Sequence, residues 1–419
     1  MPPYKKAFGS CSVVKGAEVC GLTALQQSLV SVTFLFVACG GVLGGVTGNY
    51  LGRRGTIQCG CLLVAIGAGG MLGTAGSFLN YMACKCIGGV GLGLLIAAAP
   101  VYGAECTAAS KRGMLMALYN IGLSMGNAVS AAVCAGSSNY TNNLSWQIPI
   151  ILQIPLAAIL GVGVMMFPES PRWLILKGKE GKARIAFGKF YNKDPDSIEI
   201  TRQVQEVQYY IELEKANGQT TSWTEIYHAN DIRRTIASAV ILIGLAITGS
   251  KFVVPYAALF LQGVGITNPY LVNFYVALCV FGGTFLGPWI VEYGGRRFAM
   301  LWGYAGMASC MLIFSAVSSG LGAQSQISKN VLVAFLCIWA FIFGGFIGTS
   351  VWIAAPEMHS VRLRTYGQAN TTMFYQIFAF AAAFYSPYMI NAAYGNMGYN
   401  VGYFYFGKQD IKYSLDNAN

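Results

Sequence analysis

Charge is what this sequence has least of. Only 10% of its 419 residues are Asp, Glu, Lys or Arg, against about 25% in an average soluble domain. Some 55% are hydrophobic and the mean hydropathy is +0.52, which excludes a chain solvated mainly by water. Histidine is nearly absent. His228 and His359 are the only two, neither stands near a cysteine or acid cluster, and so no metal site is arguable. The twelve cysteines form no CxxC pair. Most lie inside apolar runs, as at Cys39, Cys59, Cys61, Cys134, Cys279 and Cys337, and read as small buried apolar residues. Only Cys11 and Cys20, ahead of the first run, are placed for an external disulfide. Residues 1–27 have lysines but no compact apolar core before a cleavage site, so no cleavable signal peptide is read there. No motif brings a nucleophile, a base and an acid together, which argues against an enzyme, and no cofactor is implied.

Long apolar runs are what is present. Ten can be counted, at about 28–48, 56–78, 81–103, 113–136, 147–167, 235–262, 270–291, 298–319, 331–355 and 367–391. Each is long enough as a helix to cross about 30 Å of hydrocarbon. Their apolarity is continuous, without the period-two alternation of a membrane β-barrel. The 52 glycines suit helices that approach one another closely in lipid.

The net charge of +11 is distributed unevenly. Arg53 and Arg54, Lys111 and Arg112, the segment from Arg172 to Arg234, Arg296 and Arg297, and Arg362 and Arg364 all fall on one side of the spans. The other side holds few basic residues beyond Lys329 and the N-terminal lysines, so the first side is cytoplasmic. This asymmetry accounts for the basic balance without nucleic acid. The sequons at Asn139 and Asn143 fall on the external side, in a short loop. Expected boundaries are an external segment over 1–27, a first helical half over 28–167, a cytoplasmic linker with short helices over 168–234, a second half over 235–391 and a C-terminal remnant over 392–419.

An internal repeat links the halves. The first span exits at Gly52-Arg53-Arg54 and the seventh at Gly295-Arg296-Arg297. Glu105 is followed seven residues later by Arg112, and Glu357 seven later by Arg364. The period is six spans, and completing both halves requires one further helix at each end of the chain. The expected fold is therefore all-α: a polytopic membrane protein of two parallel six-helix repeats, here with about ten transmembrane helices.

Specific motifs now carry a resemblance. GNYLGRRG (48–55) and VEYGGRRF (291–298) are similar to the two copies of the major facilitator loop, GxxxDRxGRR. The stretch from Lys85 to Gly113, and PESPRWLI (168–175), resemble the fourth-helix exit and the cytoplasmic signature of the sugar porter family. DIRRT (231–235), PEMHSVRLR (356–364) and FYQIFAF (374–380) resemble the fungal alpha-glucoside and maltose permease branch. The resemblance implies an integral protein of the lipid bilayer, in the plasma membrane, that moves a hexose or alpha-glucoside by alternating access, with proton symport left open.

The arginines at helix exits can pair with carboxylates and with helix C-terminal dipoles. By resemblance they latch the halves together on the cytoplasmic side. The gate candidates are Arg53, Arg54, Glu105, Arg112, Glu169 and Arg172 in the first half, and Glu292, Arg296, Arg297, Glu357 and Arg364 in the second. Asn49 stands where the loop pattern has aspartate and cannot supply a charge. For substrate binding, Asn120 falls where relatives carry glutamine, Trp352 matches the family's central tryptophan, and Gln376 matches an asparagine of the maltose branch. Asn273 and Tyr375 are further candidates, and for each polar residue helix-to-helix hydrogen bonding is the alternative. The sixth span departs from the pattern with Lys251, which either meets an anionic substrate or snorkels to the external surface. Lys85 stands at the basic position of the proton-coupling pair, without its acid. Against a working carrier stand two alternatives: a truncated, inactive product, and a sugar-sensing pseudo-transporter.

Overall fold

The computed structural model describes residues 2–407 apart from 15–16, 75, 108–111, 217–225, 229–230, 252, 254–267, 322–324, 360–363, 392–393, 396, 398–400, 402 and 406. The chain opens with α1 (Pro2–Phe8) and a hairpin of β1 (Ser10–Val14) and β2 (Ala17–Gly21), in which Cys11 pairs with Cys20 across the ladder. Those two cysteines are disulfide-bonded, as their place ahead of the first span suggests. This hairpin is the only sheet among the described residues. Tyr4 and Phe8 of α1 pack on Tyr81 and Trp146, giving this end an aromatic cap.

The first half comprises α2 (Ala24–Leu29), a 3-10 turn over Val30–Val32, α3 (Thr33–Tyr50), α4 (Gly52–Gly73), α5 (Phe78–Cys106), α6 (Arg112–Ser137), α7 (Leu144–Ile151) and α8 (Gln153–Met165). α5 packs against both α3 and α4. Glycine makes this possible: a Cβ on Gly40 would lie 2.2 Å from the Val90 carbonyl oxygen, and one on Gly93 2.3 Å from that of Val37.

A linker follows, with α9 (Pro171–Leu176), α10 (Glu180–Tyr191) and α11 (Ile198–Ala216) around their own small core of Leu174, Phe187, Ile200 and Val204. The Arg184 guanidinium and the Gln208 amide both donate to Glu180, and hold its carboxyl below the ordinary carboxylate range.

The second half comprises α12 (Ile232–Ile247), α13 (Pro269–Gly294), α14 (Arg296–Leu321), α15 (Gln326–Ile342), a π-helical segment (Phe343–Gly348), α16 (Thr349–Glu357) and α17 (Arg364–Ile390). α13 meets the π segment as α3 meets α5: a Cβ on Gly283 would lie 2.2 Å from the Phe341 oxygen, and one on Gly344 2.3 Å from that of Val280. Trp339, Tyr304, Met307 and Leu242 form the centre of this half's core.

Seven helices among the described residues are long and apolar enough to cross a membrane, by length and composition. α6, α12 and α17, also expected as spans, fall outside that measure for local reasons. α12 ends after 16 residues, while α6 carries Asn120, Ser124 and Asn127, and α17 carries Gln368, Asn370 and Gln376. The polar spans are the ones that meet between the halves. α6 packs on α13, and α17 packs on α2 and α3.

Candidate functional site

At the exit of α3 the backbone turns through Gly52, whose φ of +82° is a left-handed conformation open to glycine. α4 begins there, with its first amides unpaired by the helix itself. Glu169, from the loop after α8, fills that position: its Oε1 accepts from the amides of Arg53 (3.0 Å), Arg54 (3.1 Å) and Ser170 (2.9 Å). A carboxylate at a helix N-terminus is favoured by the dipole as well as by the hydrogen bonds. Arg53 then forks onto Glu105 at the end of α5, Nε to Oε2 at 2.9 Å and Nη2 to Oε1 at 3.0 Å, and its Nη1 donates to the Gly48 carbonyl at 2.8 Å. Both side chains of the pair are 12% exposed. Ser170 Oγ donates to the same Glu105 oxygen at 2.5 Å, and the Tyr102 hydroxyl donates to the Pro168 carbonyl at 2.6 Å. Trp173 of α9 donates its indole N–H to the Asn49 carbonyl at 3.1 Å. Asn49 thus contributes through its backbone, where the loop pattern calls for a side-chain charge.

These contacts lie within the first half and between it and the start of the linker. Arg53 is held by both carboxylate oxygens of a partner in the same half. In the second half Glu292, Arg296 and Arg297 are exposed at the exit of α13, and Gly295 repeats the left-handed turn with a φ of +81°. Arg172 is half-buried on α9. The side chains of Arg112, Glu357 and Arg364 lie outside the described ones.

The seam between the halves holds the residues assigned to substrate. Asn120 is buried on α6 and Asn273 is half-buried on α13, the two helices that pack together there. Within the second half, Tyr375 of α17, the helix that rests on α2 and α3, meets the half-buried Trp352 of α16 edge-on, with ring centroids 5.5 Å apart. The π segment immediately before α16 widens the helix by one residue per turn and so resets the face on which Trp352 stands. Gln376, the residue after Tyr375, is 5% exposed, and its side-chain oxygen has no hydrogen-bond partner among the described residues.

Lys251 belongs to the same cluster. α12 stops at Thr248, the backbone passes through a left-handed Gly249 (φ +92°), and the Thr248 and Ser250 hydroxyls both donate back to the Leu245 carbonyl. The break brings the Lys251 ammonium over two rings, 4.9 Å from the Phe34 centroid on α3 and 5.0 Å from the Tyr375 centroid on α17. One ring comes from each half. A lysine within a span costs about 2.5–3.5 kcal/mol on insertion scales, and cation–π contact contributes about 0.5–2 kcal/mol. The rings offset only part of the cost.

Lys85 is half-buried on α5 with no ion pair among the described residues. No group of metal-ligating side chains occurs among them either. Sequence reasoning did not single out Phe34, Tyr102 or Ser170. Ser170 lies inside the quoted PESPRWLI motif and was within reach of such reasoning, whereas Phe34 is one apolar residue among many in its run.

Comparison with known proteins gives the frame. Residues 3–409 match the family described as "Sugar (and other) transporter". The chain is 26% identical over 393 residues to a probable glucose transporter of Neurospora crassa, covering 93% of this chain and 66% of that one. It is 25% identical over 388 residues to a hexose transporter of Saccharomyces cerevisiae, covering 90% and 70%. The chain thus spans about two thirds of the length of such relatives. Among solved structures, the partially occluded inward-open xylose transporter XylE of E. coli superposes with a TM-score of 0.76 at 20% identity, over 94% of this chain and 87% of that one. These relatives are glucose and hexose carriers, which corrects the expected placement in the maltose permease branch. A match running from residue 3 to residue 409 gives the expectation of a lost helix at each end no support. On a major facilitator fold, with the family's motifs in order along almost its full length, this integral membrane chain belongs to the sugar (and other) transporter family.

Proposed function

We propose that this protein carries a six-carbon sugar across a membrane, the plasma membrane on our reading, by alternating exposure of the seam between its two halves. The observation that carries the reading is the environment of Gln376. A buried amide oxygen without a donor is costly unless a ligand supplies one, and it stands next to an aromatic pair, Trp352 and Tyr375, at the meeting of the halves. A sugar offers both what the amide lacks and what the rings accept, hydroxyl donors and apolar faces. Asn120 and Asn273 extend the polar lining on the α6–α13 side. Residues at the cytoplasmic exits, from Arg53 and Glu169 to Arg297, act as stops for the motion. Proton coupling requires a carboxylate facing Lys85, and among the described residues the spans carry carboxylates only at their cytoplasmic ends, as at Glu105 and Glu292.

Uptake of radiolabelled D-glucose into transport-null cells expressing the full chain tests the reading. Uptake well above vector background is expected, falling at least 10-fold in Trp352→Ala and in Gln376→Leu at equal surface expression. Background uptake of glucose and of xylose alike would overturn it.

A further inference from the structure

Among the described residues, the ammonium of Lys251 has aromatic company but no counter-ion. Its two ring neighbours, Phe34 and Tyr375, come from opposite halves, and the described residues form no ion pair with it. The elements around it cannot supply one. α3 and α17 contain no Asp or Glu, and none occurs anywhere between Asp231 and Glu292. On α13 the only acid is Glu292, and on α5 it is Glu105, both at cytoplasmic ends, with Glu105 already committed to Arg53 and Ser170. α6 has none. Among the described residues a positive charge therefore sits uncompensated against the Tyr375 ring of α17, and the next residue along that helix, Gln376, has a buried oxygen without a donor. Rings attract the cation but leave its three N–H groups to find oxygen acceptors.

We propose that Lys251 selects substrate by charge, and that the seam takes the monocarboxylate of a sugar acid, an aldonate or uronate, in preference to the neutral sugar. This rests on the reading of the seam as a sugar site. The carboxylate meets the Lys251 ammonium, while hydroxyls of the same ligand donate to Gln376 and a carbon face lies on Trp352. One lysine balances one negative charge, so a monoanion fits the site better than a dianionic sugar phosphate. Because Phe34 and Tyr375 belong to different halves, neutralising Lys251 is also felt on both sides of the seam.

Purified full-length protein in proteoliposomes, given radiolabelled D-glucuronate or D-glucose at equal concentration, provides the test. Initial uptake of D-glucuronate at least 10-fold above D-glucose is expected, with acetate failing to compete. Lys251→Gln should bring the two sugars within 2-fold by slowing the acid, and Lys251→Arg should keep the preference. Glucose uptake without glucuronate uptake, or an unchanged preference in Lys251→Gln, overturns the charge selector and leaves the sugar site standing. Stronger competition by glucose 6-phosphate than by unlabelled glucuronate overturns the assignment to a monocarboxylate. Uptake of neither sugar overturns both readings. Should Lys251→Gln fail to fold, the wild-type ratio and the Lys251→Arg variant still decide.

Discussion

Arg53 shows how much one side chain organises. Its Nε and Nη2 donate to the two oxygens of Glu105, its Nη1 donates to the Gly48 carbonyl near the end of α3, and its own amide is held by Glu169. Arginine suits this place because its fork is planar and permanently charged, whereas lysine offers a point charge to one oxygen at a time. Removing Glu105 leaves the guanidinium largely buried without its partner, which is far costlier than never having had the pair. Glu105→Ala is expected to destabilise the folded protein by about 3 kcal/mol, measured as a lowered thermal midpoint with a thiol-reactive dye in detergent. Glu105→Gln, which keeps an acceptor for Ser170, should lie between this variant and wild type. An unchanged midpoint in Glu105→Ala would show that the fork is incidental.

Helix elements are matched in pairs by glycine. α3 approaches α5 through Gly40 and Gly93, and α13 approaches the π segment through Gly283 and Gly344. The same six-span period that aligns Arg53 with Arg296 also aligns Gly40 with Gly283 and Gly44 with Gly287. The repeat is thus a repeat of packing as well as of helix exits. Gly40→Ala forces a methyl onto the Val90 carbonyl, for which overpacking costs of roughly 1–3 kcal/mol are usual, whereas Gly41 faces open space. Surface expression should fall in Gly40→Ala and stay at wild type in Gly41→Ala; equal expression would refute the pairing. Helix positions and the repeat were legible in the sequence because run length and the GRR exits are local signals. The break at Gly249 and the π segment were not, since both depend on what packs beside them: Gly249 lies against the Tyr405 ring, and Gly344 against Val280. Lys251 was legible as an oddity in an apolar run, but its two rings were not, because Phe34 and Tyr375 are far from it in sequence.

At the scale of the molecule, the halves meet mainly through α6 on α13 and through α17 on α2 and α3, with a smaller contact between α6 and α16. On one side Ala128 and Ala131 of α6 lie against Ala277 of α13, flanked by Phe274 and Phe281. On the other, α17 rests on α2 and α3, where Ser28 Oγ donates to the Phe384 carbonyl at 2.8 Å. Small residues make the first contact close enough to be covalently fixed. Introducing cysteines at Ala131 and Ala277 in a background lacking Cys134 and Cys279, then oxidising, should reduce sugar uptake to background, and a reductant should restore it. Full uptake by a cross-linked protein, verified on a gel after cleavage in the linker, would mean that the halves do not move apart along this seam.

The two glycines at the exits of α3 and α13 share a positive φ, +82° at Gly52 and +81° at Gly295, and have unlike neighbours. A Cβ on Gly52 would lie 2.4 Å from the Glu169 carboxylate, while one on Gly295 meets nothing within 4 Å. At 295 the φ of +81° goes with a ψ of 161°, a region closed in practice to any residue with a Cβ, so the backbone alone demands glycine there. At 52 a second demand is added, because a side chain would also have to displace the Glu169 carboxylate.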